Sequence, residues 1–317
     1  MKEIQAKGFK ILCNRIEENI NRVMIGKGNV IESLLIALAA GGHVLIEDVP
    51  GIGKTTLVSA LAKSLNLSFK RIQFTPDLMP SDVTGFNLYN QKSGQFEFQA
   101  GAVMSQMVLA DEINRTSPKT QSSLLEVMQE NQVTVDGISY QVPQPFIVLA
   151  TQNPVDHVGT YPLPEAQLDR FMLKVDLGYP TIDEEVEILE LYSSNEPLEV
   201  LQQVADSEDV LWMRQQAMLV HCAKSVKRYI SQLTAATRRH PDIKLGASPR
   251  ASKMLMEAAK ARALLKGRDY IRPDDIQALA ISVLSHRITL TAESRLKRIT
   301  NDDAIFSVLK QVPVPER

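Results

Sequence analysis

The sequence is short of cysteine, of net charge and of long apolar runs, and each shortage closes off a class of protein. Cys13 and Cys222 are the only cysteines in 317 residues. They stand far apart with no C-x-x-C spacing, so neither a disulfide framework nor a zinc site is indicated, and a reducing, cytoplasmic setting is expected. The longest apolar stretch, Leu34 to Ala40, is far shorter than the roughly 20 residues needed to cross a bilayer. Charged residues break up Met1 to Ile20, which leaves no signal-peptide core. Lys plus Arg number 35 against 37 Asp plus Glu, a net charge of −2. The whole-chain positive excess of a nucleic-acid binder is therefore missing. The rest is ordinary for a soluble globular chain: 44% hydrophobic and 23% charged residues can build a full core. The length suggests about two domains.

The first half alternates helical patterns with short β-rich runs. Val44–Ile46, Met107–Ala110 and Phe146–Ala150 are apolar without polar alternation, as expected for strands buried on both faces of a parallel sheet. Between them lie helix-length segments, Thr55–Leu65 and Pro118–Glu130, the second opened by Ser117 as N-cap with proline next to it. That alternation predicts a doubly wound α/β fold. Two segments read instead as β-hairpins. Gln132–Val142 turns at Asp136-Gly137, and Phe86–Phe98 turns at Ser93-Gly94. The second gathers Phe86, Tyr89, Phe96 and Phe98, four of only 17 aromatics, which serve either cross-strand packing or a partner. After about Asp176 the β signal fades, and Pro180 and the Ser193–Pro197 stretch mark a boundary. Beyond it the pattern is helical, with one helix from Ser248-Pro249 to about Gly267, another from Pro273 to His286-Arg287, and a loose tail over Val312–Arg317.

The chemistry sits at the ends of the predicted strands. After Val44–Ile46 comes Asp48-Val-Pro-Gly51-Ile-Gly53-Lys54-Thr55 and then a helix. Glycines let backbone N–H groups close on phosphate oxygens, a lysine reaches the β- and γ-phosphates, and a threonine hydroxyl binds Mg²⁺. The strict pattern has glycine where Asp48 stands. Asp111-Glu112 ends the second strand; alone such a pair is a solvated loop start, but beside Lys54 it fits a metal-holding Asp and a water-activating Glu. Asn153 ends the third strand, where ligands bind in such sheets. Arg250 occupies the first turn of a helix, where a cation opposes the helix dipole, and this points to a compensating anion, a nucleotide phosphate. Arg170 follows Leu168-Asp169 at a helix end.

Taken together, these residues resemble the MoxR family of AAA+ ATPases. The resemblance runs from Ile25-Gly26 through Gly41-Gly42-His43, Asp48–Thr55, Arg71–Gly85, Leu109–Gln129, Ala150–Pro154, Gly159–Phe171, Thr237–Asp242 and Gly246–Ser252 to His286-Arg287. It accounts for Asp48, because that family lacks the first P-loop glycine. It implies an AAA+ P-loop core over residues 1–185 with a helix-2 insert at 80–103 and a pre-sensor hairpin at 132–142. A linker and an all-α lid over 186–317 would follow, with assembly into a hexameric ring. It also implies ATP and Mg²⁺ as ligands. Lys54 and Thr55 would be the Walker A pair, with Pro50, Gly51, Ile52, Gly53 and Thr56 around the phosphates and Ile25 and Gly26 at the adenine. Asp111 would share Mg²⁺ with Thr55, Glu112 would activate water, and Asn153 would be sensor 1. Arg170 would be the finger acting on the neighbouring subunit, with Arg115 the competing choice, and Arg250 would be sensor 2, through which nucleotide state moves the lid. The departures, Ala100–Met107 and Val158, touch no catalytic position.

The implied role is chaperone-like maturation or activation of protein complexes, with von Willebrand factor A domain partners supplied in trans because none fits in this chain after the lid. Two other roles stand beside it. One is a related motor in metal chelation or on nucleic acid, which the near-neutral charge disfavours. The other is a nucleotide-gated scaffold with little turnover, which the intact catalytic set disfavours.

Overall fold

The computed structural model describes residues 5–47, 49, 51–153, 159–194 and 197–315. Helices α1 (Ala6–Asn21) and α2 (Gly28–Ala40) precede strand β1 (Val44–Glu47), which leads to helix α3 (Lys54–Ser64). Next come β2 (Phe69–Gln73), the short α4 (Pro80–Thr84), the pair β3 (Gly85–Asn90) and β4 (Gln95–Ala100), and β5 (Met107–Asp111). They are followed by α5 (Pro118–Glu130), the pair β6 (Gln132–Val135) and β7 (Ile138–Gln141), β8 (Ile147–Gln152), α6 (Glu165–Leu168) and β9 (Leu173–Val175). Five of these strands form one parallel sheet in the order β2-β5-β8-β1-β9. This is the expected doubly wound α/β core. The interior strand β5 is buried at every residue, and alternate side chains enter two apolar layers, Met107 and Leu109 on one face, Val108 and Ala110 on the other.

The expected helix starts hold locally. Ser117 accepts a hydrogen bond from the Thr120 amide at the head of α5. Both hairpins form, and Asp136 and Gly137 adopt φ of +49° and +81°, the left-handed pair that a two-residue turn requires. The hairpins also touch each other: Asn87 Nδ2 donates to Asp136 Oδ2 at 2.8 Å, and Phe98 stacks on Tyr140 with centroids 4.0 Å apart. Tyr89 and Phe96 pair across the strands at 5.3 Å yet remain exposed. Of the four aromatics, Phe98 is thus the one committed to packing between hairpins.

The remainder comprises α7 (Ile182–Ser194), α8 (Ser207–Leu219), α9 (Lys224–Thr237), β10 (Ile243–Leu245), α10 (Pro249–Leu265), α11 (Pro273–Leu284), β11 (Thr289–Leu290), α12 (Ala292–Leu296) and α13 (Asn301–Gln311). The helical lid carries one addition, a small antiparallel ribbon of β10 and β11. Helix α10 is its axis. Buried Ala258, Ala259, Ala261 and Ala263 keep its surface shallow, and it packs against α1 and α2 of the core as well as α8, α9 and α11. Lys266, the C-cap of α10, pairs with Glu32 of α2 at 2.9 Å. Val312 is buried, so the tail is anchored at its first residue. Both cysteines are buried thiols, and burial pushes Cys13 up to about 12, which makes it inert. No helix among the described residues is long and apolar enough to cross a membrane.

Candidate nucleotide site

Beyond β1 the chain turns through Gly51 and Gly53 into α3. Both glycines have left-handed φ, +86° and +87°, which other L-residues adopt only with strain. A Cβ added at Gly51 would face open space, so conformation rather than room is what glycine supplies there. Gly53 is the N-cap of α3 and brings no side-chain oxygen. The helix dipole at this first turn favours an anion. Lys54 Nζ folds back to the Val49 carbonyl at 3.0 Å. Thr55 and Thr56 lie half-buried in the same turn. Asp48 and Pro50 fall outside the described residues, as does Val158.

The loop borders a cleft of about 580 Å³, within the usual range for small-molecule sites. Val23, Met24 and Ile25 form one wall, Gly51, Ile52, Gly53 and Thr56 the floor, and α7 with the segment before it the other wall. Gly26 lies where α7 closes on the core, since a Cβ there would stand 1.9 Å from Glu184 Oε1. Lys27 Nζ donates to the Leu177 and Gly178 carbonyls at 2.9 and 3.1 Å and fixes the approach to α7. The α7 wall, above all Leu189 and Tyr192, was not foreseen from the sequence. Its signal is an apolar stripe at helical spacing that finds no core: Leu189 stays 64% exposed and Tyr192 54%. A mostly apolar slot beside an anion-binding helix start fits a nucleotide, base and phosphates respectively.

The two acids end β5 on the same side of the sheet. Thr151 of β8 ties them together, its Oγ1 donating to Asp111 Oδ1 at 2.6 Å and accepting the Glu112 amide at 2.8 Å. Glu112 has a left-handed φ of +57°, so this hydrogen bond holds a strained backbone at the point where the side chain leaves the sheet. Asp111 Oδ2 receives Arg71 of β2, Nη2 at 2.6 Å and Nε at 3.1 Å. Glu112 Oε2 receives Gln73 Nε2 at 2.9 Å and pairs with Arg115 Nε at 3.3 Å. Arg71, Gln73 and Thr151 are therefore site residues that sequence reading missed. The signal for the first two is that they alternate with buried Ile72 along the edge strand and share its open face. A threonine hydroxyl and an aspartate are the hard oxygen donors that Mg²⁺ takes, so Thr55 and Asp111 fit that ion.

Asn153 follows β8 directly and is buried. The register sets Gln152 opposite Glu47, at the root of the phosphate loop. Lys174 of β9 braces that root by donating to Glu47 Oε2 at 2.9 Å. Burial works against the Lys174 charge, but Glu47 and the nearby Asp176 and Asp302 outweigh it and raise its affinity for a proton.

The two arginines lie elsewhere. Leu173 pairs with Val44, the first residue of β1, and the Met172 amide donates to the His43 carbonyl at 2.7 Å. Arg170 thus precedes the start of β9, while the phosphate loop follows the end of β1, about 10 Å along the strands. Arg250 does not line the cleft either; its Nε stands 4.0 Å from Asp169 Oδ2. A carboxylate of the chain itself thus stands near Arg250 at the head of α10. Of the sequence-predicted residues, Ile25, Gly51, Ile52, Gly53 and Thr56 line the cleft, Gly26, Lys54 and Thr55 adjoin them along the chain, Asp111, Glu112 and Asn153 stand at the C-terminal ends of β5 and β8, and Arg170 and Arg250 lie beside Asp169. Arg115 belongs with the acids through Glu112.

Comparison with known proteins agrees with this geometry. Residues 43–173 match the ATPase family associated with various cellular activities (AAA), and residues 235–307 match an AAA lid domain. An uncharacterised protein of Bacillus subtilis, YeaC, is 52% identical over 96% of this chain and 95% of its own. Chaperone MoxR1 of Mycobacterium tuberculosis is 40% identical over 94% of this chain and 81% of its own. Protein MoxR of Methylorubrum extorquens is 30% identical over 95% and 94%. The crystal structure of a candidate ATPase from Cytophaga hutchinsonii superposes with a TM-score of 0.92 at 41% identity, covering 98% of this chain and 97% of that one.

Proposed function

The chain belongs to the MoxR family of AAA+ ATPases, and from that premise we propose that it hydrolyses ATP at the interfaces of a homo-oligomeric, hexameric ring in the cytoplasm. Turnover drives remodelling, maturation or activation of partner protein complexes. The observation that carries this reading is the split of the site. The phosphate loop and the two acids share one end of the sheet, while Arg170 and Arg250 sit together at the start of β9. Two arginines set apart from the phosphate loop of their own subunit suit the cleft of the next one.

In this reading Lys54 and the first-turn amides of α3 bind the phosphates, and Ile25 and Tyr192 enclose the base. Thr55 and Asp111 would hold Mg²⁺, which neutralises phosphate charge when bound. Glu112 takes the proton of the attacking water while Asn153 orients that water. The neighbour's Arg170 stabilises charge on the transferring phosphoryl group, and Arg250 joins it as a second cation. Exposed Leu88, Tyr89 and Phe96 on the hairpin support protein rather than nucleic acid as the client, as does the net charge of −2. A von Willebrand factor A domain supplied in trans is the partner class to test first.

Turnover by Glu112→Gln is expected to fall about 10²–10⁴-fold, and by Arg170→Ala about 10³–10⁵-fold, with both variants still binding nucleotide. Phosphate release within twofold of wild type in both variants overturns the reading.

A further inference from the structure

Arg170 is flanked on both sides by a single buried guanidinium that belongs to the helical domain. Arg287 follows α11 and is 4% exposed. Its Nε donates to Asp169 Oδ1 at 2.9 Å, its Nη1 to the Met172 carbonyl at 3.2 Å, and its Nη2 to the Asp169 carbonyl at 3.4 Å and to the Phe171 carbonyl. Ser248 supplies a second grip: its Oγ lies 3.1 and 3.0 Å from the two Asp169 carboxylate oxygens, and the same oxygen caps α10 by accepting the Ala251 amide. His286 adds a bond to the Phe171 carbonyl at 3.0 Å. The segment 169–172 is continuous with the sheet through β9 and its amides bond within the core, yet the Asp169 carboxylate and the carbonyls of Asp169, Phe171 and Met172 are bonded by the lid.

We propose that Asp169 is a positioning residue, clamped by Arg287 and Ser248, that makes the Arg170 finger and Arg250 move with the helical domain. This rests on the reading that Arg170 acts on the neighbour's ATP. The physical reason is the number of bonds to a small target. A carboxylate that receives a buried guanidinium and a helix-capping hydroxyl cannot shift without breaking charge-assisted bonds, and Arg170 is the adjacent residue. Ser248 is the N-cap of α10, which carries Arg250 in its first turn, so the same clamp sets both cations. A lid displacement in one subunit is thereby delivered to the active site of the next.

Subunit mixing of the full-length protein tests this. Lys54→Ala removes phosphate binding and keeps the finger, and Arg170→Ala does the reverse, so a mixture of the two regains turnover if the finger acts in trans. Asp169→Asn alone is expected to lose about 100-fold in turnover, the cost of a finger misplaced by an ångström or so. Its own affinity for a fluorescent ATP analogue should stay within twofold of wild type. Mixed with Lys54→Ala it should regain turnover as Arg170→Ala does, and mixed with Arg170→Ala it should stay inactive. Ser248→Ala, which keeps the packing, should show the same pattern with a loss of about fivefold, the equivalent of one hydrogen bond. The proposal is overturned if both variants retain turnover within twofold of wild type, or if they are rescued by Arg170→Ala and not by Lys54→Ala. It is also overturned if neither mixture restores them while Lys54→Ala and Arg170→Ala rescue each other. If Lys54→Ala and Arg170→Ala fail to rescue each other, the trans reading itself falls and takes the proposal with it.

Discussion

Asp111 at the end of β5 and Asp275 at the start of α11 are both aspartates paired with arginine, and they are held in opposite ways. Asp275 is fully buried and saturated: Arg262 reaches it at 2.6 Å, Arg268 at 2.7 and 2.9 Å, and the Arg272 amide at 2.8 Å. Asp111 is shielded too, but its partner Arg71 has a side chain 48% exposed to solvent. A buried pair loses several kcal/mol if one member goes, because the other is left charged without water. A half-exposed pair can trade its partner for water or for another cation at small cost. The carboxylate that must accept a metal has the exchangeable partner, and the one that joins α10 to α11 has fixed ones. The same contrast separates Glu112, braced by the exposed Gln73 and Arg115, from Asp169, clamped by the buried Arg287.

The sharpest way to break this comparison is to remove each carboxylate and measure urea unfolding. Asp275→Ala is expected to cost about 3–5 kcal/mol, and Asp111→Asn about 1 kcal/mol or less; equal losses would end the distinction.

A middling effect is expected from pH. Burial lowers His43 to about 4, helped by the nearby Arg214 charge and opposed by its hydrogen bond to the Met128 carbonyl. Burial pushes His286 well below its ordinary value as well. An unfolded histidine binds a proton below about pH 6.5 while the buried one stays neutral, so stability is complete above that pH and declines as pH falls toward 4. The loss between pH 7.5 and 5 should be about 1–3 kcal/mol. A urea midpoint identical at the two pH values would place these rings outside the stability balance. Burial also opposes the Asp275 charge, but the Arg268 bonds, the Arg272 amide and Arg262 outweigh it and hold its carboxyl below the usual range. Its contribution persists above about pH 4 and disappears only in stronger acid.

The smallest effect on stability should come from Arg71→Met, within about 1 kcal/mol of wild type. The same change frees Asp111 Oδ2, so the Mg²⁺ concentration needed for half-maximal binding of a fluorescent nucleotide should fall severalfold. A rise instead would mean that Arg71 holds the carboxylate in place for the metal rather than competing with it.

How much could be read in advance follows from where each residue's partners lie along the chain. Strands β5 and β8 announce themselves because burial on both faces demands an unbroken apolar run. The caps Ser117 and Ser248 are legible because each bonds an amide three residues away. Strand β2 is silent, because an edge strand with one buried residue looks like a polar loop, and β9 is too short to show a period. Thr151 was hidden for a different reason: its partners, Asp111 and Glu112, stand about forty residues upstream, and no local pattern marks such a contact.

By itself the sequence determined the local chemistry: glycines where the backbone must turn left-handed, a lysine and threonine at a helix start, acids and an asparagine at the ends of buried strands, and hence the family. Only the tertiary structure decided which of these groups meet. The order β2-β5-β8-β1-β9 brings Arg71 beside Asp111 and Thr151 between the two acids, and the register of β9 on β1 carries Arg170 and Arg250 away from their own phosphate loop. Propensity and capping act over a few residues, whereas strand order and register are set by burying whole faces at once. A residue's type can therefore be read along the chain, but its partner only across the fold.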